Sequence, residues 1–200
     1  MQVIGLTGGI ATGKSTVSKI LRENDIPVID ADEIYKELSQ KNGRVWQAIY
    51  NGFGEKYIDK KGEIDKKALS KLVFDKPEQR EKLNKATHPL IKAEVSRRIQ
   101  KFKDIKDQHI IFIDVPLLYE SGWHEIADQV WVVAIPYEIQ LERLIKRDKC
   151  SEDYAKKRIN SQMSLGEKCK RANVIIDNSN TIEHTSEQVL SHLRRTIAKD

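Results

Sequence analysis

The chain has 200 residues, of which 32% are charged and 6% aromatic, and its formal net charge at neutral pH is +5. This length fits one domain with a hydrophobic core. The sequence shows no basic leader segment and no apolar run near the ~18 residues that cross a bilayer, so we expect a cytoplasmic protein. The basic balance fits polyanionic ligands or simply a solvated basic surface, and no aromatic RNA-binding signature, arginine tract or zinc finger favours nucleic acid.

The first predicted element is a short strand, Val3–Leu6, followed by Gly-Gly-Ile-Ala-Thr-Gly-Lys-Ser at residues 8–15. This is a P-loop, placed between a strand and a helix start. Its glycines let backbone N–H groups surround phosphate oxygens, and the helix adds its positive dipole end. We expect Lys14 to reach the β- and γ-phosphates and Ser15 to bind a bridging Mg²⁺. The alternative is a glycine-rich turn that binds nothing.

A helix over about 15–24 precedes a second short strand, 27–29, after which two aspartates follow. Ligands of parallel sheets bind beyond the carboxyl ends of the strands, and phosphoryl transfer to an alcohol needs a carboxylate there to accept the proton. Asp32 is the better candidate for this base because it lies farther beyond the strand. It is equally well explained as the N-cap of a helix that begins at Glu33. Asp30, closer to the buried strand, is interpreted as structural.

The stretch from Glu33 to Lys106 has apolar residues at helical spacing and no clear strand pattern. It is therefore predicted to be a helical insertion between the second and third strands. Within it, His88 precedes Pro89, and one interpretation of this pair, as an alternative to a chemical role of His88, is the end of one helix and the start of the next.

Three later segments complete the predicted sheet. Continuous apolar runs at 109–114 and 130–135 are typical of strands buried on both faces, and a last strand is predicted at 173–177. The final helix is expected to begin at Thr181, with Asn180 in a capping position. Strands separated by helices imply right-handed crossovers, so the fold class is α/β with five parallel strands flanked by helices.

Asp114 stands at the end of the third predicted strand. An acidic residue at this place is expected to be the partner of the metal ion, usually through bound water. The alternative is an aspartate that accepts hydrogen bonds in the turn after the strand.

A strongly charged region, 142–171, follows the fourth strand. As a mobile helical flap it would close over a triphosphate, exclude water and stabilise the transferring phosphoryl group, with Arg143 and Arg147 nearest the sheet. Its interleaved acidic residues also fit an ordinary solvated helix face. Cys150 and Cys169 lack the spacing of a zinc site, which favours free thiols.

Short motifs extend the P-loop signal along the chain. They are Ile4–Ile10, Thr12–Thr16, Val28–Asp32, His88–Ile91, Val115–Glu120, Gln140–Leu144 with Arg147 and Asp148, Arg158 and Ile159 with Gln162, and Val174–Asn178. In this order they resemble the dephospho-coenzyme A kinase family over nearly the whole chain, and the set is far more specific than the P-loop alone.

The resemblance implies a P-loop kinase fold and transfer of the ATP γ-phosphoryl group to the 3′-hydroxyl of dephospho-coenzyme A, the last step of coenzyme A synthesis. It implies ATP and Mg²⁺ as cofactors, no nucleic-acid or membrane partner, and a monomer or small homo-oligomer. A single domain is expected, with its core at 1–32, 107–141 and 172–200, the acceptor-binding insertion at 33–106 and the lid at 142–171.

The resemblance also implies roles for single residues. Asp32 becomes the expected base, with Lys14 and Arg143 as further catalytic residues, while Ser15 and Asp114 are expected at the metal. The nucleotide-binding residues implied are Gly9, Ile10, Ala11, Thr12, Gly13, Lys14, Ser15, Thr16, Arg147 and Asn178. His88 and Gln162 match motif positions without a chemical duty that the sequence reveals.

Three other functions compete with this interpretation. A kinase of the same architecture could act on a nucleoside monophosphate or another small alcohol. A GTP-dependent switch is disfavoured because Asn84-Lys-Ala-Thr87 carries Thr where guanine recognition by Asn-Lys-x-Asp needs Asp. A nucleic-acid-binding ATPase is the third, and it predicts salt-sensitive binding to RNA or DNA.

Overall fold

A computed structural model describes residues 1–105 and 109–198. The predicted boundary between insertion and core at 106–107, and the last two residues of the predicted core, lie outside these ranges. The described residues form two compact units: one consists of residues 1–29 with the described part of 102–200, and the other is Asp30–Lys101.

The helices and strands alternate along the chain. In order they are β1 (Gln2–Gly8), α1 (Lys14–Glu23), β2 (Val28–Asp30), α2 (Ala31–Leu38), α3 (Arg44–Phe53), a 3₁₀ turn (Glu55–Tyr57), α4 (Lys66–Asp75), α5 (Pro77–Lys103), β3 (Ile110–Asp114), a second 3₁₀ turn (Trp123–Ile126), β4 (Gln129–Ala134), α6 (Tyr137–Asp148), α7 (Glu152–Asn160), α8 (Leu165–Arg171), β5 (Val174–Asp177) and α9 (Ile182–Ile197). Within the described ranges, no helix combines the length and the apolar content needed to span a bilayer.

The five strands form one sheet in the order β2-β3-β1-β4-β5, and β1 pairs in parallel with both β3 and β4. The predicted parallel sheet is therefore confirmed, and no strand end differs from the prediction by more than two residues. The register places Leu6 opposite Asp114 and Gly8 opposite Val133. As a result, the P-loop begins at the edge of the sheet where β3 and β4 also end.

The central strands are apolar on both faces because helices cover the sheet on both sides. On one face, α1 and α9 pack over Ile4, Phe112 and Trp131, which are buried together with Val17 and Leu193. The rings of Phe112 and Trp131 meet edge to face, with centroids 5.0 Å apart. This core fixes the strand ends that carry the P-loop and Asp114.

The second compact unit is helical, as predicted for the insertion. Its α3 buries Val45, Ile49 and Phe53 along one face. Apart from Asp30 at the end of β2, the described β pairing in this unit is an isolated antiparallel bridge between Ile58 and Ile64.

The alternative that one helix ends and the next begins at His88 and Pro89 is wrong, because α5 runs without interruption from Pro77 to Lys103. Proline removes one backbone N–H from a helix, which costs stability locally. The helix nevertheless buries a continuous stripe of residues spaced four apart, and this burial outweighs the local cost. The stripe consists of Thr87, Ile91, Val95 and Ile99.

Two helix caps also differ from the prediction. Asp30 is the N-cap of α2, since its Oδ1 accepts hydrogen bonds from the backbone N–H groups of Asp32 (2.8 Å) and Glu33 (3.1 Å). The interpretation of Asp30 as structural is confirmed, and the alternative that Asp32 caps the helix is wrong. At α9 the cap is Thr181, whose Oγ1 accepts from His184 N, and not Asn180. In both cases the chain is still extended at the capping residue.

Candidate active site

A pocket of about 640 Å³ opens beyond the carboxyl end of β1. It lies in the first compact unit, where the P-loop, the segment after β3, α6, α7 and the start of α9 meet. Its lining residues are Gly8, Gly9, Ile10, Ala11, Gly13, Lys14, Ser15, Thr16, Pro116, Arg143, Arg147, Arg158, Gln162, Asn178, Asn180 and Ile182.

The charge of the pocket has one sign. Lys14, Arg143, Arg147 and Arg158 line it, and none of the described lining residues is acidic. Positive charge concentrated beside a helix N-terminus favours a polyanion such as a triphosphate. The sequence singled out Lys14, Arg143 and Arg147, whereas Arg158 was one member of a charged run with no assigned role.

Lys14 and Asp114 form an ion pair at the floor of the pocket. Lys14 Nζ bonds to Asp114 Oδ1, and Ser18 Oγ donates to Asp114 Oδ2. The Asp114 side chain is only 2% exposed, so its charge needs these partners. The pair therefore fixes the lysine beside the P-loop before any nucleotide enters.

Ser15 and Asp114 are the residues that could hold a magnesium ion. The described residues contain no group of three or more His, Cys, Asp or Glu side chains that would form a metal site by themselves. Mg²⁺ in phosphoryl-transfer sites takes only one or two protein oxygens and completes its shell with phosphates and water. The exposed hydroxyl of Ser15 at the pocket wall and the carboxylate of Asp114 fit that donor set.

The shape of the P-loop depends on contacts behind it. Asn178 Nδ2 donates to Thr12 O (2.8 Å), and Thr185 Oγ1 donates to Asn178 Oδ1 (2.9 Å). Gly13 has a positive φ of 87°, and a Cβ added there would lie 1.9 Å from Asn178 Nδ2. Thr12 is fully buried and bonds to Gly9 O, so it shapes the loop and does not line the pocket. The described contacts of Asn178 likewise support the loop.

At the rim of the pocket, two arginines, one on α6 and one on α7, share a carboxylate that is not among the described lining residues. Arg147 Nε donates to Asp148 Oδ1 (2.7 Å), and Arg158 Nη1 donates to Asp148 Oδ2 (2.6 Å). The hydrogen bond from Arg147 lowers the pKa of Asp148, which keeps this carboxylate charged between the two arginines. Arg143 is held separately, because its Nη1 donates to Asn178 O (3.0 Å). The acidic residue that fitted a solvated face thus orients two cations of the pocket.

Two glutamines bind the peptide groups of Ile10 in the P-loop. Gln162 Oε1 accepts from Ile10 N (2.9 Å), and Gln140 Nε2 donates to Ile10 O (2.8 Å). Gln140 is buried on α6, and Gln162 follows α7. The structure therefore gives Gln162 a contact that the sequence did not reveal. For Gln140, the available signal in the sequence was its position four residues before Leu144, on the buried face of α6.

The predicted site residues fall into two groups. The first unit brings together Lys14, Ser15, Asp114, Arg143, Arg147 and Asn178 around the pocket. Asp32 belongs to the second unit, in the first turn of α2, and its role as a base stays a prediction. His88 also lies there, on α5, where burial lowers the pKa of its imidazole.

Comparison with known proteins decides the family. A family model for dephospho-CoA kinase matches residues 2–184. The chain belongs to the dephospho-CoA kinase family. A dephospho-CoA kinase of Fusobacterium nucleatum is 44% identical over 189 residues, covering 94% of this chain and 95% of the relative. One of Carboxydothermus hydrogenoformans is 42% identical over 200 residues, covering 100% and 97%.

Solved structures agree with this family assignment. A dephospho-CoA kinase from Campylobacter jejuni is 32% identical, with a TM-score of 0.72 and 96% of each chain covered. A Thermus thermophilus protein is 27% identical, with a TM-score of 0.82 and coverage of 97% and 96%. A shikimate kinase from Acinetobacter baumannii is 14% identical at a TM-score of 0.54, which shows a shared fold alone. This member of the dephospho-CoA kinase family has the P-loop kinase fold.

Proposed function

We propose that this chain transfers the γ-phosphoryl group of ATP to the 3′-hydroxyl of dephospho-coenzyme A and so forms coenzyme A. One observation carries the proposal: a complete P-loop opens into a pocket with four cationic side chains and no described acidic lining residue, in a chain that matches the dephospho-CoA kinase family model over residues 2–184. The positive charge of the pocket supports a triphosphate as the donor, and the family match supports dephospho-coenzyme A as the acceptor.

In the proposed reaction, the acceptor oxygen forms a bond to the γ-phosphorus while the bond to the β–γ bridging oxygen breaks, and ADP leaves. The backbone N–H groups of the P-loop and the start of α1 hold the β- and γ-phosphates, with Lys14 beside them. When bound, Mg²⁺ would neutralise part of the phosphate charge, held by Ser15 and, through water, by Asp114.

Asp32 is proposed as the base that orients the attacking hydroxyl and accepts its proton. Two observations support this role. Asp32 lies two residues beyond the end of β2, and Asp30 supplies the N-cap of α2, so capping does not explain Asp32. A carboxylate is the group expected in this role, since the proton must leave as the phosphorus–oxygen bond forms.

The arginines are proposed to stabilise negative charge that spreads over the transferring group. Arg143 is anchored to Asn178 O, which leaves its other N–H donors for the phosphates. Arg147 and Arg158 share Asp148, and their side chains are 53% and 41% exposed. We propose that the region 142–171, which carries all three arginines, closes over ATP and excludes water as a competing acceptor.

The test is a panel of acceptors with Mg-ATP: dephospho-coenzyme A, AMP, CMP and shikimate, with product masses recorded. We expect phosphorylation of dephospho-coenzyme A at the 3′-oxygen and turnover with the other acceptors at least ~10³-fold slower, because the site must bind the transition state of one acceptor. The K14A variant, purified in parallel, controls for contaminating kinases. Phosphorylation of another acceptor in place of dephospho-coenzyme A would contradict the proposal.

A further inference from the structure

Lys168 on α8 is a fully buried lysine, with a side chain that is 0% exposed. Its Nζ lies 3.2 Å from Gly8 O, 3.1 Å from Pro116 O and 2.9 Å from Glu120 Oε1. The ammonium thus has as many oxygen acceptors as it has N–H donors. Burial of a lysine is costly unless it is paired and hydrogen-bonded, as it is here, so the three contacts are the reason that this charge is tolerated.

The two carbonyl groups belong to the nucleotide pocket. Gly8 is the last residue of β1 and the first glycine of the P-loop, and Pro116 lies just beyond the end of β3. Both residues line the pocket. Thr7 Oγ1 also donates to Pro116 O (3.0 Å), which joins the same two segments a second time. Lys168 therefore holds together the segments that follow two neighbouring strands.

The third partner connects Lys168 to the segment that binds Ile10. Glu120 Oε1 accepts a hydrogen bond from Met163 N (3.0 Å) as well as the ion pair from Lys168. Met163 is the next residue after Gln162, whose side chain accepts from Ile10 N. A chain of described contacts thus runs from the buried ammonium through Glu120 to the backbone beside Gln162.

We infer that Lys168 is a positioning residue for the nucleotide: its buried ammonium holds the start of the P-loop, the segment after β3 and, through Glu120, the backbone at Gln162 in the arrangement that binds ATP. This inference rests on the proposed phosphoryl transfer for its kinetic measurement only. Lys168 makes no contact with phosphate in this role. Loss of the ammonium leaves two carbonyls and one carboxylate without their shared partner, so the two segments are held together less tightly and the backbone at Gln162 loses its link to them.

The test compares K168M with K170M. Methionine keeps the length of the side chain and removes the charge. Lys170 is the matched control, because it lies on the same helix, is 75% exposed and pairs with Glu167 instead. For each variant we would measure thermal unfolding, the Kd for Mg-ADP by calorimetry, and the KM for ATP and for dephospho-coenzyme A.

We expect K168M to raise both the Kd for Mg-ADP and the KM for ATP by at least ~10-fold, with the KM for dephospho-coenzyme A within about twofold of the wild type. K170M should match the wild type in all of these. Lower thermal stability with unchanged Mg-ADP affinity, or an equal loss for both substrates, would show a merely structural lysine and overturn the inference.

A second variant decides the matter if K168M fails to fold. E120Q keeps Lys168 with its carbonyl partners and removes only the ion pair, so we expect a smaller change in the same direction, about threefold in the Kd for Mg-ADP. An unchanged Kd in E120Q would then overturn the inference. Because Mg-ADP binding needs no acceptor, this result is independent of whether dephospho-coenzyme A is the substrate.

Discussion

The cations of the nucleotide pocket are held in two different ways. In the inner pair, Lys14 and Asp114, the side chains are 18% and 2% exposed, and the start of α1 and the end of β3 position them. In the rim cluster, Arg147 and Arg158 are 53% and 41% exposed, and Asp148 joins them. A buried pair keeps one geometry because no water replaces its partners, whereas an exposed cluster exchanges partners readily. The inner pair therefore fits a fixed phosphate contact, and the rim cluster fits a contact made only after the nucleotide arrives.

The largest effect is expected when Lys14, the lysine of the inner pair, is removed. We expect K14A to lower kcat/KM for ATP by at least ~10³-fold, because it removes a preorganised charge from the phosphates and also leaves Asp114 buried beside an empty space. Steady-state kinetics and a Kd for Mg-ADP measure the effect. K19A on the same helix is the control, since Lys19 is 75% exposed and pairs with Glu23. Nearly normal turnover of K14A would contradict the conclusion that the inner pair provides a fixed contact to the phosphates.

The next largest effect is expected for Asp32, which belongs to neither the inner pair nor the rim cluster. D32N should lower kcat by at least ~10²-fold with little change in the Kd for Mg-ADP, because Asn cannot accept the proton from the acceptor hydroxyl. The matched control is D30A, which removes the N-cap of α2 and should cost about 1 kcal/mol of stability while leaving most of the turnover. Turnover near the wild-type value in D32N would exclude Asp32 as the base.

The rim cluster should respond more weakly and in a salt-dependent way. We expect D148N to raise the KM for ATP about threefold to tenfold, since Arg147 and Arg158 lose the carboxylate that orients them, and kcat should fall less. Kinetics at two ionic strengths test this. E152Q is the control, because Glu152 lies on α7 and pairs with Lys156 of the same helix instead of with an arginine of the pocket. A loss in D148N as large as that in K14A would erase the distinction between rim and inner pair.

The smallest effect concerns Glu94, an acid of the second unit that pairs with two arginines and is not among the described lining residues of the pocket. Hydrogen bonding to Arg97 and Arg98 holds the pKa of Glu94 at about 2, below its usual value. A depressed folded-state pKa stabilises the protein above the unfolded-state pKa, and this stability is lost as the pH falls from about 4.5 towards 2. After allowance for the exposure of Arg97, the contribution is on the order of 1 kcal/mol.

Urea unfolding of the wild type and E94Q at pH 7 and pH 3.5 measures this contribution. We expect the difference in stability between the two proteins to be smaller at pH 3.5 than at pH 7, and the KM for ATP to be the same for both proteins at pH 7. A changed KM for ATP in E94Q would show that an acid–arginine cluster outside the pocket lining also affects ATP binding. This result would contradict the specific role proposed for Asp148.

The sheet and the P-loop were predictable because their signals are local. Continuous apolar runs identify strands buried on both faces, and Gly-x4-Gly-Lys-Ser identifies the loop from residues 8–15 alone. The pocket position of Arg143 and the place of Asp114 followed from the rule that sites form beyond strand ends. The start of α2 was misplaced because Asp30 and Asp32 are equally good capping types, and only the backbone distinguishes them.

The contacts that shape the loop were not predictable from the sequence. Lys168 lies 160 positions from Gly8 in the chain, and Gln162 lies 152 positions from Ile10, so no local spacing connects them. Lys168 also lies in a run of charged residues, where a solvated lysine is the normal interpretation. The continuity of α5 through Pro89 depends on burial of its whole face, which a dipeptide rule does not include.

The hydrogen bond from Ile10 N to Gln162 Oε1 gives this protein a natural reporter. The amide hydrogen of Ile10 is covered by a side chain from a distant part of the chain, so its exchange with deuterated solvent requires Gln162 to move away. The exchange rate of the Ile10 amide therefore reports the fraction of molecules in which Gln162 has moved away from the P-loop when no substrate is present. Comparison with the rate under saturating Mg-ADP would convert that fraction into the free energy by which the nucleotide keeps the segment in place.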